Sequence, residues 1–123
     1  MIDHVSITMA DFTKGLAFYD AVLAPLGYQR LVTRPDHAGY GEPGRPIFWV
    51  NHGATRPPGD SSGHVAFIAP DRTAVVKFHD AALATGGRDN GAPGVRDYHP
   101  SYFAAFVIDP EGHRIEAVCH RPV

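Results

Sequence analysis

A single cysteine, Cys119, is all the chain has, so no disulfide can form within it, which fits a reducing compartment. Lysine is nearly absent too. Only Lys14 and Lys77 occur and there is no Lys/Arg run, so a surface that tracks nucleic-acid phosphates is not expected. No apolar stretch approaches the roughly 20 residues of a membrane span. The opening Met1-Ile2-Asp3-His4 lacks the basic and apolar regions of a signal peptide. The cytoplasm is the expected location, with neither membrane nor nucleic acid as partner. A Walker A phosphate loop is missing as well. What is abundant is histidine, with eight in 123 residues, on a net charge of only -2. The length suits one compact domain or two small fused units.

An internal repeat organises the chain. Shifted by 60 residues, His4-Val5 falls on His64-Val65, Asp11 on Asp71, Thr13 on Thr73, Phe18 on Phe78, Asp20-Ala21 on Asp80-Ala81 and Leu23-Ala24 on Leu83-Ala84. Nine of 21 positions between 4 and 24 are identical, where chance would give about one or two. A duplicated supersecondary unit is the simplest reading.

Each copy opens on a strand. Val5 and Ile7 alternate with His4, Ser6 and Thr8, and Val65 and Phe67 repeat the pattern with His64 at the parity of His4. A helix follows. Asp11 and Asp71 are placed as N-caps, and Phe12, Leu16, Tyr19, Leu23 and Val75, Phe78, Ala82 recur at helical spacing. The remainder of each copy reads as three strands. In the first these are Tyr28 to Thr33, a weak strand near Tyr40 broken by Gly39 and Gly41, and Ile47 to Val50. In the second, Tyr102 to Ile108 and Arg114 to Cys119 flank an Asp109-Pro110-Glu111-Gly112 turn, while Asn90 to Pro100 reads as a loop. The expected fold is α+β: two βαβββ modules, 1–51 and 63–123, joined by a 52–62 linker containing Pro57-Pro58. They pair into a funnel-shaped mixed sheet with helices on its outer face.

Aligning the final strands on the turn glycines, Gly44 with Gly112, sets an offset of 68 and puts Glu116 opposite Phe48. His4 and His64 hold equivalent places on the first strands, away from the apolar face. Glu116 points away from Ile115 and Ala117. A glutamate on a short β-strand is against propensity, and its burial is costly unless paired. Two imidazoles and a carboxylate converging in a concave face can bind Fe(II), Mn(II) or Zn(II) and leave positions open for substrate.

The repeat, together with MIDHVSI, GHVAFIA and FVIDPEGHRIEAV, resembles the vicinal oxygen chelate superfamily: glyoxalase I, extradiol dioxygenases, and the fosfomycin- and bleomycin-resistance proteins. That resemblance implies a divalent metal held by first-strand and last-strand residues, here His4, Phe48, His64 and Glu116. Phe48 cannot coordinate, so a glyoxalase I activity is disfavoured and a His4, His64, Glu116 set remains. It further implies a metal-dependent enzyme acting on a small substrate through adjacent oxygens, or alternatively a non-catalytic binding protein. Modules of the family pair within one chain or swap across a dimer; a homodimer is expected.

Within the long second-copy loop, His99 and Tyr98, with Tyr102 beside them, are candidates for acid, base or substrate contact, and Glu116, His99 and Tyr102 form the catalytic set. Phe48 is expected to line the cavity with Tyr102 as a substrate contact, and Trp49 to pack under a helix. His37, His79 and His113 read as surface residues.

Overall fold

The structure is a computed structural model, which describes residues 1–54 and 63–123. The expected Pro57-Pro58 linker segment falls outside the described residues. The first module runs β1 (Val5–Met9), α1 (Phe12–Leu23), a 3-10 turn (Ala24–Leu26), β2 (Gln29–Arg34), β3 (His37–Glu42) and β4 (Arg45–His52). The second runs β5 (Val65–Ile68), α2 (Arg72–Ala84), β6 (Arg88–Arg96), β7 (Tyr102–Ile108) and β8 (Arg114–Cys119). This is the α+β double βαβββ arrangement that the repeat predicts.

Both helices start where the sequence places their caps. The Asp11 carboxylate accepts from the Lys14 amide at 3.1 Å, and that of Asp71 from the Ala74 amide at 2.7 Å. Gly27, at φ 91, closes the 3-10 turn after α1 with its amide on the Ala24 carbonyl.

Two four-stranded sheets result, ordered β1-β4-β3-β2 and β5-β8-β7-β6. In each, the first strand lies parallel to the last and the other neighbours are antiparallel. Among the described residues the sheets do not share a hydrogen-bonded ladder, so β1 and β5 are both sheet edges. The modules instead share one apolar core, in which Phe18, Tyr19, Phe48, Phe67, Phe78 and Ile115 are buried together. The Phe48 and Phe67 rings meet edge to face at 5.1 Å across the module boundary.

The polar clasp between modules comes from the Asp109-Pro110-Glu111-Gly112-His113 connection. Asp109, 2% exposed, accepts from the Tyr19 hydroxyl at 2.6 Å, the His113 ring at 2.8 Å and the amides of Glu111 and His113 at 2.9 Å. The carboxylate of Glu111 accepts from the amides of Ala10 and Asp11, both at 2.7 Å, at the start of α1. There it satisfies free donors and the positive end of the helix dipole.

Three expectations change. The stretch read as a loop from Asn90 is mostly strand β6, paired to β7 with register breaks around Gly91. Gly91 sits at φ 154 with Phe106 where a Cβ would be, so its lack of a side chain lets a strand pass there that propensity argues against. Second, β3 is a full six-residue strand. Gly41 makes that possible: a Cβ on it would lie 2.1 Å from the Arg45 carbonyl oxygen, beside the irregularity in the β3–β4 ladder. Gly41→Ala is therefore expected to cost about 1–3 kcal/mol or more, because the obstructing atom is backbone; urea unfolding of the variant checks it. Third, His79 is not a surface residue. It is 7% exposed and its ring nitrogen lies 2.9 Å from the Asp89 carboxylate. His113 is likewise drawn in, against Asp109.

Candidate functional site

β8 sits centrally in its sheet, between β5 and β7, and so controls what faces out from it. Ile115, Ala117 and Cys119 join the core. By the two-residue period, Glu116 and Val118 turn to the other face. Glu116 pairs with Ala66 of β5 and Phe106 of β7. Though charged, it is 1% exposed. Its Oε1 lies 2.8 Å from His64 Nε2, and its Oε2 accepts a short hydrogen bond from the Tyr102 hydroxyl. Both oxygens are thus engaged, which offsets the cost of burying the carboxylate.

Further aromatic side chains cluster around the Tyr102 ring. His99 stacks on Tyr102 at 5.8 Å, Tyr98 meets Tyr102 edge-on at 5.1 Å, and His120 meets it at 5.2 Å. The loop folds back tightly enough to do this because Ser101 adopts φ 63 and the Tyr102 amide reaches the His99 carbonyl at 3.3 Å. Burial, reinforced by the Glu116 carboxylate that accepts its proton, pushes the Tyr102 hydroxyl up to about 12. It therefore stays a neutral donor at physiological pH. His120 follows Cys119 just past the end of β8, where the sequence suggests only a Cys-His pair at the strand's end; four residues beyond Glu116, it continues the two-residue period onto the Glu116 face.

His4 is placed differently. It precedes β1, with its side chain 54% exposed and Nδ1 2.6 Å from Asp3. Val5 and Ile7 pack against the core, so His4 and Ser6 take the outer parity. His4 and His64 both border a cavity of about 490 Å³ that also touches Tyr28, Arg45, Phe48 and Phe67. However, among the described residues no three His, Cys, Asp or Glu side chains are grouped closely enough to share one ion. One chain thus brings together His64, Glu116, Tyr102 and His99, and does not bring His4 to them.

The strand ladders also correct the alignment of the two copies. Ser6 pairs with Trp49, and its repeat partner Ala66 pairs with Glu116. Trp49, not Phe48, is therefore the counterpart of Glu116, at an offset of 67 rather than 68. The faces of β4 swap accordingly. Phe48 is 1% exposed, 5.0 Å from the Tyr19 ring of α1, and borders the cavity only from the core side. Trp49 stands on the open face, where a second, shallow cavity of about 570 Å³ is lined by it with Asp3, His4, Ser6, His37 and Asn51. The two turns misled the alignment because they differ in length. Pro43-Gly44 connects β3 to β4, whereas five residues, Asp109 to His113, connect β7 to β8.

The profile of the Glyoxalase/Bleomycin resistance protein/Dioxygenase superfamily matches residues 1–117. The chain belongs to this superfamily. Among solved members, a glyoxalase/bleomycin resistance protein from Albidiferax ferrireducens T118 is 28% identical over 98% of both chains, with a TM-score of 0.83. The fosfomycin resistance protein FosX from Listeria monocytogenes (14% identical, 97% of this chain and 92% of that one, TM-score 0.71) shares the fold. So does a lactoylglutathione lyase from Agrobacterium tumefaciens (17% identical, 97% and 92%, TM-score 0.65). No curated protein matches the chain in sequence. Among the described residues no helix is long and apolar enough to cross a membrane. The ladders thus move the position that the resemblance assigned to Phe48 onto Trp49, whose indole cannot coordinate a metal either.

Proposed function

We propose that this superfamily member is a divalent-metal-dependent enzyme that takes a small substrate through two adjacent oxygens, with His64 and Glu116 of one copy and His4 of a second copy as ligands. The observation that carries this reading is the Glu116–His64 pair. A carboxylate buried on the outer face of β8, 2.8 Å from an imidazole nitrogen, has the spacing of two neighbouring ligands on one ion (about 3 Å for bonds near 2.1 Å at right angles). His4 holds the repeat-equivalent place of His64, and the edges of β1 and β5, unpaired among the described residues, offer a second copy a surface to complete the set. The donors, two nitrogens and one oxygen, suit Fe(II), Mn(II) or Zn(II).

When bound, the ion supplies Lewis-acid polarisation of a substrate oxygen. The chain's own residues do the rest. Tyr102 holds one Glu116 oxygen and fixes the carboxylate's orientation, as outer partners of metal ligands do. Tyr102 also presents its ring to the substrate. His99, stacked on that ring, is the group placed to take or return a proton at the rim.

Purified protein is expected to hold about one metal ion per chain, and His64→Ala to lose it. Mixing then tests where His4 comes from. His4→Ala and Glu116→Ala chains, each metal-free alone, are expected to regain about a quarter of the sites when refolded together, because only a mixed dimer rebuilds one intact set. No metal in wild-type protein after reconstitution defeats the reading, and no recovery on mixing defeats the shared site. A second reading, a binding protein without chemistry, draws on the fact that no three donors meet among the described residues of one chain; ligand binding that a chelator leaves unchanged is the result that favours it.

A further inference from the structure

From the placement of Trp49 we infer that its indole is a stacking platform for a planar, uncharged, conjugated ring of the substrate, set beside His4. The inference rests on the proposed site and adds what that site selects.

Three observations support it. The first is position: the ladders make Trp49 the counterpart of Glu116, so the corner of the site that the second module fills with a ligand is filled by the first with an aromatic face. His4 and Trp49 line the same shallow cavity. A substrate whose oxygens reach an ion on His4 therefore has its body over the indole.

The second is Gly39, the cross-strand partner of Trp49 on β3. A Cβ at Gly39 would lie 2.7–2.9 Å from the six-membered part of the indole. The ring thus lies flat on the β3 backbone, one face against the glycine. In the second module the corresponding position is Phe106, opposite Glu116. The glycine-tryptophan pair therefore differs from its duplicate at both positions, and in the sense that makes a flat apolar surface. Trp49 remains partly exposed on this face, and His37, 5.9 Å away, flanks it.

The third is charge. The described residues lining this cavity include Asp3 but no Lys or Arg. Apart from the ion proposed on His4, a phosphate, phosphonate or carboxylate group on the substrate would find no Lys or Arg partner among these residues, whereas a neutral ring is accommodated by dispersion and by the indole quadrupole.

The chain has one tryptophan, so its emission reports on this platform alone. The experiment titrates the Zn(II)-reconstituted full chain with catechol and with cis-cyclohexane-1,2-diol, which offer two adjacent oxygens with and without a planar ring. Emission, excited at 295 nm, and calorimetry are read together. Catechol is expected to quench Trp49 and to bind about tenfold more tightly than the saturated diol. Trp49→Leu is expected to abolish that preference while leaving Zn(II) content unchanged, Trp49→Phe to keep it within about threefold, and Gly39→Ala to reduce it by lifting the ring off β3. Equal binding of the two diols to wild type, or a preference that survives Trp49→Leu, overturns the inference. If wild-type protein holds no zinc, the metal reading fails by itself. The stacking inference is then decided by the same pair on the metal-free protein, where a catechol preference lost in Trp49→Leu sustains it and no preference overturns it.

Discussion

Glu116→Ala is expected to lower metal affinity by on the order of 1,000-fold, and Glu116→Gln by on the order of 100-fold, while both remain folded. Removing the carboxylate takes away a ligand and also the acceptor that holds His64 and Tyr102 in place. Glutamine keeps the shape and an acceptor for the Tyr102 hydroxyl, so packing on β8 survives, but it brings no charge to neutralise a divalent ion. The alanine variant additionally takes the acceptor from the partly buried Tyr102 hydroxyl, at a cost of about 1 kcal/mol or less because solvent can replace it. Equilibrium dialysis with Zn(II) measures the first effect and thermal unfolding of the metal-free proteins the second. A Glu116→Gln protein that binds metal as wild type does removes Glu116 from the ligand set.

The other large effect is on stability. Asp109→Ala is expected to destabilise the protein by about 3–5 kcal/mol, since it strips the partner from a buried ion pair and orphans two amides and a phenol. Its pH dependence has a definite shape. Burial pushes the Asp109 carboxyl up, but hydrogen bonds from His113 and Tyr19 outweigh it and hold the carboxyl below its ordinary value. That contribution is complete above about pH 4 and is lost as pH falls through the lowered folded value. The hydrogen bond to Asp109, opposed by partial burial, raises the His113 imidazole above its ordinary value. Its contribution is complete below about pH 6.5 and is lost as pH rises through the raised folded value. The stability gap between wild type and Asp109→Ala is therefore expected to be widest between about pH 4 and 6.5 and to narrow on both sides. Urea midpoints across pH 3–9 trace it, and a gap that is flat with pH would show the Asp109–His113 pair to be electrically silent.

Much of the architecture could be read before any coordinates. The 60-residue repeat set the two modules, Asp11 and Asp71 were recognisable as caps, and β7 and β8 have the bounds that alternation suggested. What escaped did so for physical reasons. Strand β6 is built from Gly91, Pro93 and Gly94, residues that local propensity assigns to loops; only its pairing with β7 makes it a strand. The face of β4 was misread because two turns of different length were superposed on their glycines, and one residue of slip exchanges every side chain between faces. His79 was legible in hindsight, since Val75, Phe78 and Ala82 define the buried face of α2 and His79 lies one turn beyond Val75. The Glu116–His64 contact followed from parity and repeat equivalence. The position of His99 against Tyr102 did not, because it depends on how a turn closes around Ser101.

The Glu111 latch onto the start of α1 has an evolutionary corollary. The second half of the chain grips the first through a five-residue connection, and the first half has only Pro43-Gly44 in that place with which to return the grip. The halves descended from one ancestor have therefore become lock and keeper, no longer exchangeable. Either half expressed alone as a symmetric pair would lack one side of the fastening.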